Sequence, residues 1–160
     1  MKKILFGVLT LTMIYSCSNN SSNPTESGTD TTAVTTPLDK QIIGEWRNTS
    51  LKVKINTALN SDSTGYIDVD ETNWERVLKT KPMKTVFSED GTYKLADGSI
   101  ADSTVSVSSG TWYVLNDTIF MNQKQPDAIF FQYHIGIKDN VATLNGLVDW
   151  EGDGKVDDEY

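Results

Sequence analysis

The last twelve residues of this 160-residue chain hold its densest group of side chains that could bind a metal ion. Counted from the first acid, carboxylates stand at positions 1, 3, 5 and 9: Asp149, Glu151, Asp153 and Asp157. Gly154 stands at position 6. Calcium-binding loops place oxygen ligands at such alternating positions, and a glycine at position 6 allows their sharp turn. The spacing therefore predicts a calcium site at these four acids.

Position 12 of the same stretch departs from the calcium pattern. Calcium loops have a glutamate there that binds through both oxygens, whereas this chain has Tyr160. The alternative interpretation is a solvated acidic tail that follows the last strand. Both interpretations stay open on the sequence.

His134 is the single histidine of the chain, and it offers little catalytic chemistry. The alternating pattern around it places it on the strand face opposite Phe131, Tyr133 and Ile135. One histidine cannot form a His-rich zinc site. No serine or cysteine stands beside it in a nucleophile motif. We therefore predict that the protein is not an enzyme, and we predict no catalytic residue.

The N-terminus has the three parts of a secretory signal over residues 1–16. Lys2 and Lys3 come first, an apolar run follows, and small Ser16 precedes Cys17. That run is shorter than the roughly 20 apolar residues that a membrane-spanning helix needs. Cys17 is also the only cysteine. Ordinary secretion with a free cysteine is the alternative to a function for this thiol.

The residues Ile-Tyr-Ser-Cys at 14–17 resemble the signal of bacterial lipoproteins. In that family the signal is cleaved before the cysteine, which is then acylated. The resemblance implies a lipid anchor at Cys17, and Ser18 after it implies transport to the outer membrane. The protein is then expected on the periplasmic face of that membrane or at the cell surface.

Residues 17–37 are rich in Ser, Thr and Asn and contain almost no large apolar side chain. Such a segment cannot bury enough apolar surface to offset the entropy of ordering, so we predict a disordered tether. The formal net charge of the chain is −8, and removal of Lys2 and Lys3 makes it more negative. Nucleic acids and anionic lipid surfaces both require clustered Lys and Arg. We predict no nucleic-acid partner, and membrane contact only through the lipid.

Residues 38–160 are predicted to form one β domain. A helical turn over residues 38–43 precedes Gly44, and about eight strands follow with hairpin turns at 89–91, 116–117 and 138–140. The first strand is expected from Trp46 to residue 56, because Leu51, Val53 and Ile55 alternate with Lys52 and Lys54. One further helix is predicted to begin at Thr72, because Thr72 and Glu75 have the spacing of a capping box. The pattern predicts an all-β fold: an antiparallel meander of eight strands that forms a barrel or a barrel-like sandwich, with one short helix.

Three short motifs follow one another at strand spacing in this domain: Gly44-Glu-Trp46, the segment FSEDGTY at 87–93 and the segment GTWYVLNDTIF at 110–120. In order and spacing they resemble the strand motifs of bacterial lipocalin-like lipoproteins, over residues 38–150. The resemblance implies an eight-stranded barrel, Trp46 packed at its closed end, and often a ligand cavity. An interior of eight strands can be filled by side chains or can hold one small ligand.

Two functions are compatible with these expectations. In the first, the barrel binds a small apolar or amphipathic ligand in the cell envelope. In the second, the barrel has a filled core and works through its outer surface as a structural or interaction module. A hollow interior distinguishes the first function from the second.

Overall fold

The computed structural model describes residues 2–4 (backbone only), 36–56, 58, 61, 63–101 and 104–160. The predicted cleavage site, Cys17 and the tether up to residue 35 lie outside these residues. The described helices are α1 (Leu38–Gln41) and α2 (Trp74–Leu78). The described strands are β1 (Lys2–Ile4), β2 (Gly44–Asn48), β3 (Ser50–Ile55), β4 (Gly65–Asp70), β5 (Lys84–Phe87), β6 (Thr92–Gly98), β7 (Val105–Leu115), β8 (Thr118–Gln125), β9 (Ile129–Lys138), β10 (Val141–Asn145), β11 (Leu147–Val148) and β12 (Asp158–Glu159). The predicted all-β, barrel-like fold is confirmed.

The larger sheet is an antiparallel meander of seven strands in the order β2-β5-β6-β7-β8-β9-β10. The sheet curls until β2 and β10 face each other, and β1 lies between them, parallel to both. The hairpin turns predicted at 116–117 and 138–140 are present. The two residues of the first turn, and residues 139–140 of the second, have positive φ between 48° and 60°. Asn and Asp tolerate that backbone region, which two-residue hairpins require.

The barrel differs from the predicted eight-stranded meander because the chain leaves it after Asn48. The expected strand from Trp46 to residue 56 is interrupted at Thr49, and its second half, β3, pairs with β4 and β12 in a separate sheet. That sheet has the order β11-β12-β3-β4. The predicted alternation within β3 is correct, since Leu51 and Val53 are buried whereas the two lysines between and after them are partly or fully exposed.

The predicted capping box of the second helix is wrong. Helix α2 begins at Trp74 and has no side-chain cap. The hydroxyl of Thr72 donates instead to the carboxylate of Asp70 at 2.5 Å, and the Thr72 amide donates to the same oxygen at 2.8 Å. Asp70 and Thr72 thus form a local side-chain turn. The Thr72 hydroxyl is bonded in that turn and does not cap the helix. The helix packs on the sheet through Trp74, which is 1% exposed.

The apolar interior is divided into two clusters that follow the two sheets. The barrel cluster contains Trp46, which is fully buried, and Ile42 directly after α1. The indole nitrogen of Trp46 donates a hydrogen bond to the carbonyl of Ile42 and so ties α1 to the start of β2. The second cluster packs α2 on β3 and β4, and Tyr160 contacts both clusters. Neither described helix has the length and the apolar character needed to cross a membrane.

Candidate functional site

A cavity of about 350 Å³ lies inside the barrel. Its lining includes Asn48, the last residue of β2, and Thr85 and Phe87 of the neighbouring strand β5. Helix α1 comes just before the first residue of β2, whereas Asn48, which lines the cavity, is the last residue of that strand. The cavity therefore extends to the end of β2 that is far from α1. The volume lies within the range of about 300–1,000 Å³ that small-molecule pockets have in proteins.

Most of the described lining residues are aromatic or aliphatic. The aromatic ones are Phe87, Tyr93, Phe131, Tyr133, Trp150 and Tyr160. The aliphatic ones and methionines are Met83, Leu95, Met121, Leu144 and Val148, and the polar ones are Asn48, Thr85, Ser108, Gln123 and Asp149. An apolar wall that carries a few polar groups is the usual composition of a site for a small organic molecule.

The C-terminal residues form one wall of the cavity, and Asp158 holds them in place. Its carboxylate is 1% exposed and accepts hydrogen bonds from the backbone amides of Asn56, at 2.9 Å, and Trp150, at 2.8 Å. Tyr160 and Gly146 exchange both backbone hydrogen bonds, at 2.9 and 3.0 Å. Hydrogen bonds to a buried carboxylate are strong, so the end of the chain is a fixed part of the site.

A row of four aromatic rings runs along this wall. The ring centroids of Phe131 and Tyr133 are 6.2 Å apart, those of Tyr133 and Tyr160 are 5.3 Å apart, and those of Tyr160 and Trp150 are 6.4 Å apart. Burial raises the pKa of the Tyr133 and Tyr160 hydroxyls well above the ordinary tyrosine value. Both phenols therefore keep their protons at neutral pH and offer neutral hydrogen-bonding groups.

The acids of the predicted calcium site are used largely in bonds within their own loop. The two carboxylate oxygens of Asp149 accept hydrogen bonds from the amides of Asp153 and Gly154, both at 2.9 Å. Asp153 in turn accepts from the ammonium of Lys155 at 2.7 Å, and this contact lowers the pKa of Asp153. The loop is thus closed by its own amides and one ion pair.

The other two acids, Glu151 and Asp157, are in different surroundings. One carboxylate oxygen of Glu151 is buried and has no partner among the described residues. Burial, and after it the negative charges of Asp158, Asp153 and Asp157, raises the pKa of Glu151. Within the described part of the chain, no three or more His, Cys, Asp or Glu side chains are gathered in a way that could hold a metal ion. The calcium site at Asp149, Glu151, Asp153 and Asp157 stays a prediction.

Two further residues singled out in the sequence lie apart from the cavity lining. Trp46 is packed in the barrel core, and its indole donates to the carbonyl of Ile42 directly after α1. Its role as the residue that closes the barrel stays a prediction. His134 is exposed on β9, and Ile135 beside it is buried, as the alternation predicted. Cys17 lies outside the described residues.

Sequence reasoning missed the residues that make the site. The alternation of β6 and β9 could have placed Tyr93 and Tyr133 on inward faces, but it does not show that the space beside them is empty. From the sequence, Tyr160 stood only at position 12 of the calcium pattern, where a glutamate is expected, and Asp158 belonged to the acidic tail. Their roles depend on contacts with Gly146 and Asn56, which no local pattern contains.

No protein-family model, no curated protein and no solved structure matches this chain. The resemblance to lipocalin-like lipoproteins therefore stays a prediction from the motifs, and the function has to be argued from the cavity.

Proposed function

We propose that this protein is a lipid-anchored protein of the bacterial cell envelope whose lipocalin-like barrel holds one small apolar or amphipathic molecule. The observation that carries the proposal is the cavity of about 350 Å³ with its mostly apolar lining. A filled barrel needs no such space, because protein interiors normally pack without voids of this size. Ligand binding gives a reason for keeping the cavity.

Ligand binding is tested by filling the cavity from Ser108. This serine lines the cavity on β7 and pairs with Leu95, another lining residue. In Ser108→Trp the indole occupies the space of the ligand, so we expect loss of the small molecule that native mass spectrometry detects on protein purified gently from its own host. The matched control is Val107→Trp, one residue away on the same strand, where the side chain is 55% exposed.

The result has three informative outcomes. Adducts on the wild type and Val107→Trp, but not on Ser108→Trp, support the proposal and identify the ligand class by mass. Equal adducts on all three proteins place the ligand elsewhere and contradict it. A bare wild-type mass argues for the second function, a barrel that works through its outer surface.

One observation favours that second function, a structural or interaction module of the envelope. Three aromatic rings stack on the outside of the barrel, with centroid distances of 4.8 Å between Tyr113 and Phe120 and 6.1 Å between Phe120 and Phe130. Tyr113 is 49% exposed and Phe130 is 56% exposed. Exposed aromatic side chains are common at protein interfaces.

The anchor is tested separately by Cys17→Ala. Because acyl chains on Cys17 would hold the protein on the membrane, we expect the variant to move from the membrane pellet to the soluble fraction after cell lysis. Asn20→Ala, three residues away, is the control and should stay in the pellet. A Cys17→Ala protein that still sediments with the membrane would exclude the anchor.

Cleavage before Cys17 would also remove β1 and expose the facing edges of β2 and β10.

A further inference from the structure

Among the described residues, Tyr93 is the one tyrosine that lines the cavity and whose buried hydroxyl has no hydrogen-bond partner. The residue lies on β6, is 1% exposed and lines the cavity. Its hydroxyl makes no hydrogen bond to any described residue. Burial raises the pKa of this phenol, so the group is protonated at neutral pH and can donate. A buried donor without an acceptor is unfavourable, which indicates that a bound molecule supplies the acceptor.

The surroundings of Tyr93 decide where that acceptor lies. The ring centroids of Tyr93 and Phe87 are 6.2 Å apart. The Phe87 ring also packs edge to face on Trp112, with a centroid distance of 5.3 Å. The Tyr93 ring is thus fixed among aromatic side chains of the neighbouring strands β5 and β7. A rigidly held hydroxyl imposes a direction on its hydrogen bond, and since Tyr93 also lines the cavity, we place the acceptor there.

The charge of the lining decides the charge of the ligand. None of the described lining residues is Lys, Arg or His. The single charged one is Asp149, and both of its oxygens already accept hydrogen bonds from loop amides. An anionic ligand would have no positive side chain to pair with in this lining. A cationic ligand could pair only with Asp149, whose two oxygens already accept hydrogen bonds from loop amides. Burying an unpaired charge is strongly unfavourable. The lining therefore suits a neutral molecule.

The volume gives the size of that molecule. An apolar protein cavity of about 150 Å³ binds one benzene ring. The present cavity of about 350 Å³ thus has room for about two fused rings or an apolar chain of similar bulk. A ligand of this size can pack against the flat apolar surface of the aromatic row, which is formed by Phe131, Tyr133, Tyr160 and Trp150.

We propose that the cavity binds a neutral molecule about two rings in size, with one oxygen acceptor of the carbonyl or ether type, and that the Tyr93 hydroxyl donates a hydrogen bond to that oxygen. This inference rests on the proposed ligand-binding function. It adds the ligand class and a residue that determines specificity.

The test compares three probes of equal bulk by isothermal titration calorimetry on the full chain. They are 2-acetylnaphthalene, which is a neutral ketone, 2-ethylnaphthalene, which lacks the oxygen, and 2-naphthoate, which is an anion. For the wild type we expect the ketone to bind about tenfold more tightly than the hydrocarbon, which corresponds to about 1.4 kcal/mol. The anion should bind at least tenfold more weakly than the ketone.

Tyr93→Phe removes only the hydroxyl. We expect it to weaken ketone binding about tenfold, to the level of the hydrocarbon, and to leave hydrocarbon binding unchanged. Comparing the affinities of the ketone and the hydrocarbon in the wild type and in Tyr93→Phe isolates the binding energy between the Tyr93 hydroxyl and the ketone oxygen. The matched control is Tyr113→Phe, which removes the same hydroxyl from the outer face and should change neither affinity.

The outcomes separate this inference from the function on which it rests. If ketone and hydrocarbon bind the wild type equally, or if Tyr93→Phe binds the ketone as the wild type does, the role of Tyr93 is overturned and the ligand-binding function stands. If the anion binds as tightly as the ketone, the neutral ligand class is overturned. If no probe binds the wild type at all, the binding function itself fails, and this inference fails with it.

Discussion

Trp46→Ala is expected to lower the free energy of unfolding by about 3–5 kcal/mol, the usual cost of removing a buried aromatic side chain. Trp46 is fully buried in the barrel cluster, and its indole donates to the carbonyl of Ile42. The substitution leaves a cavity and also leaves that carbonyl without its donor. Because a domain of this kind has a total stability of about 5–15 kcal/mol, the loss should be visible as a large shift of the urea midpoint.

Two variants make the Trp46 result specific. Trp46→Phe keeps an aromatic ring in the core but not the indole donor, so we expect a smaller loss, of about 1–2 kcal/mol. Trp150→Ala removes a tryptophan that is 37% exposed, and it should cost less than Trp46→Ala. If Trp46→Ala unfolds at the wild-type urea concentration, Trp46 does not close the barrel in the way described.

Gly110→Ala is expected to cost about 3 kcal/mol, which is the upper part of the range for overpacking. A Cβ atom on Gly110 would stand 2.0 Å from the carbonyl oxygen of Asn122 and 2.8 Å from the Cα of Gln123. These are backbone atoms of β8, so no side chain can turn away to make room. The pairing of β7 with β8 is already irregular between Ser109 and Gly110, and the added methyl group would force the two strands apart there.

Gly136→Ala is the matched control for Gly110→Ala. Gly136 lies within β9, and a Cβ there would meet no atom within 4 Å. Its φ lies outside the left-handed region, so alanine fits without strain. We expect a change of at most about 0.5 kcal/mol in the free energy of unfolding, as for ordinary surface substitutions. Equal stabilities of the two alanine variants, measured by urea unfolding, would contradict the close approach of β7 and β8.

The stability of the free protein is also connected with the proposed binding of a ligand in the cavity. The unpaired Tyr93 hydroxyl reduces the stability of the free protein. Under the proposed binding function, this loss of stability is accepted for the sake of the ligand. A ligand that fills the space should raise the melting temperature, since it binds the folded state alone.

Much of the local structure could be predicted from the sequence. The alternation of Leu51 and Val53 with Lys52 and Lys54 predicted β3 and its buried face. The turn residues at 116–117 and 138–140 predicted hairpins, which the structure has. These signals are local, because the side-chain period of a strand and the backbone angles of a turn depend on adjacent residues. Trp46 could also be placed in the core from its motif.

Only the tertiary structure decided which strands close the barrel and what its interior holds. Strands β3 and β4 pair with each other locally, but their sheet is extended by the pairing of Lys54 with Glu159. The C-terminal wall of the cavity is held by the bond of Asp158 to Asn56. These partners are about a hundred residues apart in the chain, and a strand pattern carries no information on its distant neighbour. Whether the barrel is hollow depends on how the inward side chains of seven strands fit together, and that packing exists only once the sheet has closed.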